Sequence, residues 1–136
     1  MRRNDVHCLD SSFILDYLDG DDDGRAAVES FLQANENRVF VAPAYVLFEA
    51  YAGAAYLDGR AGVDRMASDL EWIEPVPFTE RHAREAAVID AELKVDGTPI
   101  NVLDVLIAGV ARVLGATVVT RDGDFDRVDG LTVERY

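Results

Sequence analysis

The sequence predicts a three-layer α/β/α sandwich built on a mainly parallel central sheet. Two observations carry this expectation. Short apolar runs alternate with amphipathic helical stretches in the order β-α-α-β-α-α-β-α-α-β-α-β, the pattern of strands joined by helical crossovers. Two of the runs also end in acid: Val6-His7-Cys8-Leu9-Asp10, and Thr117-Val118-Val119-Thr120 leading into Arg121-Asp122-Gly123-Asp124-Phe125. Acids placed where buried strands end put carboxylates at the rim of a sheet, the usual position for a site in an open parallel α/β fold. At 136 residues the chain is long enough for one core and short for two, so residues 1–136 are expected to form one domain.

The elements follow in order. Residues 5–10 read as the first, central strand. Either Ser11 or Ser12 can cap the helix Phe13–Leu18, whose Phe13, Ile14, Tyr17 and Leu18 share a stripe. Asp19-Gly20-Asp21-Asp22-Asp23-Gly24 imitates the start of a calcium loop, but its twelfth position is Ser30 where a bidentate glutamate is required. It therefore reads as a solvated turn opening a helix at about Arg25–Asn35. Arg38–Ala42 is a second buried strand, and Pro43 stands at the first turn of a helix over Ala44–Leu57. A polar helix near Gly62–Leu70 leads to Trp72–Phe78, whose two prolines mark a short edge strand. Thr79 is the expected cap of Glu80–Lys94, and Asp96–Pro99 is a turn. An apolar helix from Asn101 to Leu114 closes at Gly115; Thr117–Thr120 is the next strand, Phe125–Val128 a short helical segment and Leu131–Glu134 the last strand.

Composition narrows the functional classes. Hydrophobic residues make up 49% and charged residues 29%, which suits a globular chain and argues against disorder. No apolar run approaches the ~20 residues that span a bilayer, and Met1-Arg2-Arg3-Asn4-Asp5 leads into a run too short for a secretory leader, so a cytoplasmic protein with no membrane partner is expected. The single Cys8 cannot form an internal disulfide and reads as a small apolar strand residue. His7 and His82 lack metal-spaced partners. The 26 acidic residues outnumber 13 basic ones, of which only Lys94 is lysine, for a net charge of −13. Such a balance ordinarily speaks against nucleic-acid binding, which basic surface dominates. The objection weakens if the acid is a solubility device of a halophilic host, since the Debye length falls to ~3 Å at 1 M salt.

Acids interrupt apolar sequence at four separated places: Asp10, Glu49, Asp104 and the pair Asp122 and Asp124. Glu49 is the only charged residue between Pro43 and Leu57, on a helix widened by Tyr45, Phe48, Tyr51 and Tyr56. This marks either a site or a partner-covered helix. Asp104 sits in a first turn, where the helix dipole favours negative charge, but is flanked by Leu103 and Val105. If these residues converge, each close pair repels by about 4 kcal/mol at an effective dielectric of 20 and ~4 Å. Such a cluster needs cations or protons. All-oxygen ligation selects Mg²⁺ or Mn²⁺ over zinc, and such ions suit phosphodiester hydrolysis.

The motifs Leu9-Asp10-Ser11-Ser12, Phe48-Glu49-Ala50-Tyr51-Ala52-Gly53, Leu103-Asp104-Val105-Leu106-Ile107-Ala108 and Val119-Thr120-Arg121-Asp122-Gly123-Asp124-Phe125, in that order, resemble the PIN-domain ribonucleases, in particular VapC-type toxins of toxin–antitoxin pairs. The resemblance runs over essentially the whole chain. It implies a PIN-like fold and an endoribonuclease in which Asp10, Glu49, Asp104 and Asp122 are catalytic and bind Mg²⁺ or Mn²⁺. Asp124 is the second acid of the last motif, and either it or Asp122 is the closer ligand. Ser11 and Thr120 match hydroxyl positions that orient carboxylates or cap strand and helix ends. The family further implies a homodimer to which the helix Ala44–Tyr56 contributes, and an antitoxin that silences cleavage. Arg121 and Arg127, with Arg60, Arg65 and Arg112, are candidates for RNA phosphate contact or for surface ion pairs.

Other readings fit less well. A phospho-acceptor receiver needs a late sheet lysine, and Lys94 is too early. A phosphatase with a nucleophilic aspartate needs a second Asp where Ser12 stands. A catalytically inactive PIN-like module that only binds a partner is the alternative, and it leaves the acids unexplained.

Overall fold

The apolar runs pair as neighbours in one sheet in the computed structural model, which describes residues 6–136. Strand β1 is Val6–Leu9; the expected start at Asp5 and the leader reading of the first five residues lie outside the described residues. The others are β2 (Val39–Pro43), β3 (Glu74–Val76), β4 (Thr117–Thr120) and β5 (Thr132–Arg135). Their order is β3-β2-β1-β4-β5 and every neighbouring pair is parallel. β1 is central, as its near-continuous apolar run demands, and the two-proline stretch supplies an edge strand.

Helices α1 (Ser11–Asp19), α2 (Asp22–Ala34) and α3 (Ala44–Asp69) connect β1 to β2 to β3 in one direction. Helices α4 (Glu80–Val95) and α5 (Val102–Leu114) bring the chain back across the sheet to β4 and β5. Right-handed crossovers then place α1, α2 and α3 on one face and α4 and α5 on the other, the three-layer sandwich expected. Strand residues Cys8, Leu9, Val118 and Val119 are fully buried between the layers. The direction of connection reverses between β1 and β4, which opens a crevice at their carboxyl ends. Both acidic strand ends lie there.

Several boundaries differ from the expectation, three of them through a side chain that caps earlier than composition suggests. Asp10, not a serine, caps α1 by accepting from the Phe13 N–H at 3.0 Å. Asp21 accepts from the Gly24 N–H at 2.7 Å and starts α2 at Asp22 instead of Arg25, so the acidic stretch is a helix start with Asp22 and Asp23 in its first turn. The expected break after Leu57 falls at Asp58 and Gly59, where α3 leaves helical geometry; Gly59 has φ 59° and ψ −146°, a conformation that suits glycine. Thr79 caps α4 as expected, its N–H donating to His82 Nδ1 at 3.0 Å. The segment after β4 is a 3₁₀ turn over Gly123–Arg127, earlier than Phe125–Val128, because Asp122 caps it.

Close packing of α4 on α5 depends on Gly109, where a Cβ would stand 2.8 Å from the Ala86 methyl. Cys8 is fully buried, and burial pushes its thiol up to about 12, which leaves it inert. His7 lies against Phe31 and Phe40 with Nε2 3.1 Å from Glu134. Among the described residues no helix is long and apolar enough to cross a membrane.

Candidate active site

Asp10 follows directly on β1 and is almost fully buried, at 3% exposure. A buried carboxylate must be hydrogen-bonded, and this one is held from three sides. Thr120 Oγ1, at the end of the adjacent β4, donates to Oδ2 at 2.5 Å. Ser12 Oγ donates to both oxygens at 2.8 and 2.9 Å, and the Phe13 N–H reaches Oδ1. Burial nevertheless outweighs these bonds and raises the Asp10 pKa, with Asp122 pushing the same way. The neighbouring Thr120 oxygen also accepts from the Asp122 N–H at 2.9 Å, so one hydroxyl ties the two strand ends together.

Three further acids close on the same point. One oxygen from each of Asp104, Asp122 and Asp124 lies within 4.8 Å of the others. Asp104 comes from the first turn of α5, capped by Asn101; Asp122 and Asp124 come from the turn after β4, where Asp122 Oδ1 accepts from the Asp124 N–H at 3.0 Å. At that separation each pair of charges repels by about 3 kcal/mol at an effective dielectric of 20. Partial burial first, then Asp10, Asp122, Asp124 and Glu49, raise the Asp104 carboxyl from 3.8 to about 6. All five acids thus share one field. Each was expected from the sequence; the geometry divides them into a tight trio, a buried Asp10 behind it, and Glu49.

Glu49 is exposed on α3 and accepts from Ser11 Oγ at 3.1 Å, so Ser11 orients Glu49 while Ser12 and Thr120 hold Asp10. Ser12 is the hydroxyl that sequence reading missed. Its signal was its place in the first turn after an Asp cap, two residues from the carboxylate it serves. Tyr45 also reaches the site, donating to the Leu103 carbonyl at 3.1 Å beside Asp104.

Four of the five candidate arginines pair with acids, and Arg60 is exposed. Arg121 Nη1 lies 3.0 Å from Asp16, and Arg127 lies 3.6 Å from Asp124 and donates to the Pro99 carbonyl at 3.2 Å. Arg65 pairs with Asp58, and Arg112 with Glu85 at 2.7 Å. Among the ion pairs formed by the described residues, none reaches Asp10, Glu49, Asp104 or Asp122. Among the described residues, the guanidinium that pairs with any of the five carboxylates is therefore that of Arg127. An all-oxygen, like-charged donor set of this kind fits a hard divalent cation. A separate cleft of about 500 Å³, lined by Val88, Ala91, Glu92, Val95, Asp96 and Asp129, contains none of the five acids.

A family model described as PIN domain matches residues 7–131. The structure of FitAcB from Neisseria gonorrhoeae is similar over 93% of this chain and 95% of that one, at 26% identity and a TM-score of 0.77. That of VapBC-5 from Mycobacterium tuberculosis, a member of the VapBC family of toxin-antitoxin systems, is similar over 96% of both chains at 26% identity and a TM-score of 0.64. VapBC2 from Rickettsia felis, at 20% identity over 96% of this chain and 98% of that one, shares the fold with a TM-score of 0.80. No curated protein matches the chain.

Proposed function

Because the chain belongs to the PIN-domain family, we propose that it is the toxin of a type II toxin–antitoxin pair, an endoribonuclease that hydrolyses RNA phosphodiester bonds with Mg²⁺ or Mn²⁺. One observation carries this reading: Asp104 is surrounded by Asp10, Asp122, Asp124 and Glu49 at the carboxyl ends of β1 and β4. Acids so placed destabilise the metal-free site, and that penalty is offset only when a cation or protons bind.

The residues divide the work. Asp104, Asp122 and Asp124 would hold the cation directly, with Asp10 and Glu49 completing the negative cradle. Bound there, a divalent ion supplies a more acidic water and neutralises charge on the phosphate. Thr120 and Ser12 keep Asp10 in one rotamer, and Ser11 does the same for Glu49. Preorganisation of this kind is what a charged site requires, since reorientation during reaction would forfeit electrostatic stabilisation. Arg127, already beside Asp124, and Arg121, 56% exposed, would contact RNA phosphates at the rim.

Exposed Phe48, Tyr56, Leu57, Val102 and Leu103 support burial against other chains, a second copy and an antitoxin. The apolar cleft of about 380 Å³ beside Glu49, lined among others by Leu15, Leu18, Ala50 and Leu57, would suit an antitoxin helix.

The test is cleavage of a panel of structured RNAs with Mn²⁺ or Mg²⁺ at low and high salt, with Asp10→Asn and Asp104→Asn beside the parent. Metal-dependent cleavage lost in both folded variants is expected. Cleavage retained in both would remove the metal-site mechanism, and a parent that binds a partner without cutting any RNA would favour the inactive module.

A further inference from the structure

One buried carboxylate has no part in the mechanism above. Asp16 lies on the inner side of α1 at 4% exposure, three residues beyond the core residue Phe13. Such a position ordinarily takes an apolar side chain, because an ionised group inside must be paired. Its partners come from the far end of the chain: Asp16 Oδ2 accepts from the Tyr136 hydroxyl at 2.8 Å and lies 3.0 Å from Arg121 Nη1. Space on its other side is kept by Gly24 of α2, where a Cβ would stand 2.9 Å from Asp16 Oδ1.

Both partners lead back to the acidic site. Arg121 lies between Thr120, which holds Asp10, and Asp122, whose N–H the Thr120 hydroxyl accepts. On the other side the Tyr136 hydroxyl lies 3.4 Å from Ser12 Oγ, and the Tyr136 ring packs edge-on against Phe13 with centroids 4.9 Å apart. The hydrogens can be counted. Tyr136 has one hydroxyl proton, and the shorter contact gives it to Asp16; Ser12 has one, which then goes to Asp10. Asp10, Ser12, Tyr136, Asp16, Arg121 and Thr120 thus form a circuit of contacts around the end of the sheet, in which the Tyr136–Ser12 link carries no hydrogen.

From this circuit we infer that Asp16 is a positioning residue for the carboxylate site. Through Arg121 it fixes the turn that presents Asp122 and Asp124, and through Tyr136 it holds the residue after β5 against Phe13 and beside the Ser12 hydroxyl that orients Asp10. The inference rests on the proposed metal site for its consequence, not for its geometry.

The experiment uses the full chain and two variants, Asp16→Asn, which keeps the shape but not the charge, and Tyr136→Phe, which keeps the ring on Phe13 and removes the hydroxyl. Mn²⁺ association is measured by calorimetry, and amide hydrogen exchange is measured without metal. Asp16→Asn is expected to weaken Mn²⁺ association about tenfold or more. Exchange should accelerate at Asp122 and Asp124 while Val118 and Val119 keep their protection. Tyr136→Phe should shift both readouts the same way by a smaller factor. A purely structural Asp16 would instead lower protection throughout the sheet and leave Mn²⁺ association as in the parent, and that result overturns the inference. If Asp16→Asn does not fold, parent-like Mn²⁺ association and turn exchange in Tyr136→Phe overturn it equally. A parent that binds no Mn²⁺ counts against the proposed metal site; the exchange measurement then decides the positioning role by itself.

Discussion

Replacing Asp104 by Asn should make the metal-free protein more stable at neutral pH while removing activity. The folded chain raises the Asp104 carboxyl from 3.8 to about 6, through burial first and then the four acids around it. A difference of roughly two pKa units corresponds to about 3 kcal/mol of unfavourable interaction in the ionised form. Asp104 is only partly buried, so solvent screening reduces this to about 1–2 kcal/mol. The sign follows from linkage. With a folded-state pKa above the unfolded one, the stabilising contribution is complete below pH 3.8 and is lost as pH rises through about 6.

Melting the parent and Asp104→Asn side by side in chelator from pH 3.5 to 7.5 isolates this contribution from that of the other acids. The stability difference in favour of the variant should grow across that window and reach about 1–2 kcal/mol at pH 7, a few degrees in melting temperature. Saturating Mn²⁺ should reverse the ranking, since a ligand at 100 times its Kd adds about 2.7 kcal/mol to whichever protein binds it. A difference that stays flat with pH, or a variant less stable than the parent at pH 7 without metal, would refute the shared-field argument.

Further outcomes are expected elsewhere. Thr120→Val, at a fully buried position, removes the donor to Asp10 and the acceptor for the Asp122 N–H, so a loss of about 1–3 kcal/mol in denaturant melts should accompany reduced cleavage. Gly59→Ala meets no neighbouring atom but must hold φ 59° and ψ −146°; thermal melts should show a loss of about 1–3 kcal/mol from backbone strain alone. Phe48→Glu, at a residue 66% exposed, should shift the mass measured by light scattering from dimer toward monomer, and an unchanged mass would exclude Phe48 from a dimer contact. With a net charge of −13, raising KCl from 0.1 to 1 M shortens the Debye length from about 10 to about 3 Å and should raise the melting temperature. Tightest folding in low salt would remove the halophilic reading.

What the sequence determined by itself was periodic and local. Apolar runs of strand length separated by amphipathic helices specify a parallel α/β sandwich, because each run must be covered on both faces and each crossover must turn the same way. Asp10, Glu49, Asp104, Asp122 and Asp124 were legible for a related reason: an acid within apolar sequence is costly unless a site requires it. Cap positions were legible only as a choice among neighbouring polar residues. Asp10 displaced Ser11 and Ser12 as the α1 cap because its carboxylate sits where β1 ends and the first N–H groups of α1 converge.

Tertiary structure alone decided how the acids are grouped. Whether Asp122 or Asp124 joins Asp104 depends on the rotation of a five-residue 3₁₀ turn, and the fold brings both to it. It also decided that Arg121 turns toward α1 and that Tyr136 reaches Asp16 across 120 positions of sequence. No local pattern encodes such contacts. They arise when the last strand, β5, docks beside β4 and carries the end of the chain to the first helix, a consequence of sheet order that spacing along the polymer does not contain.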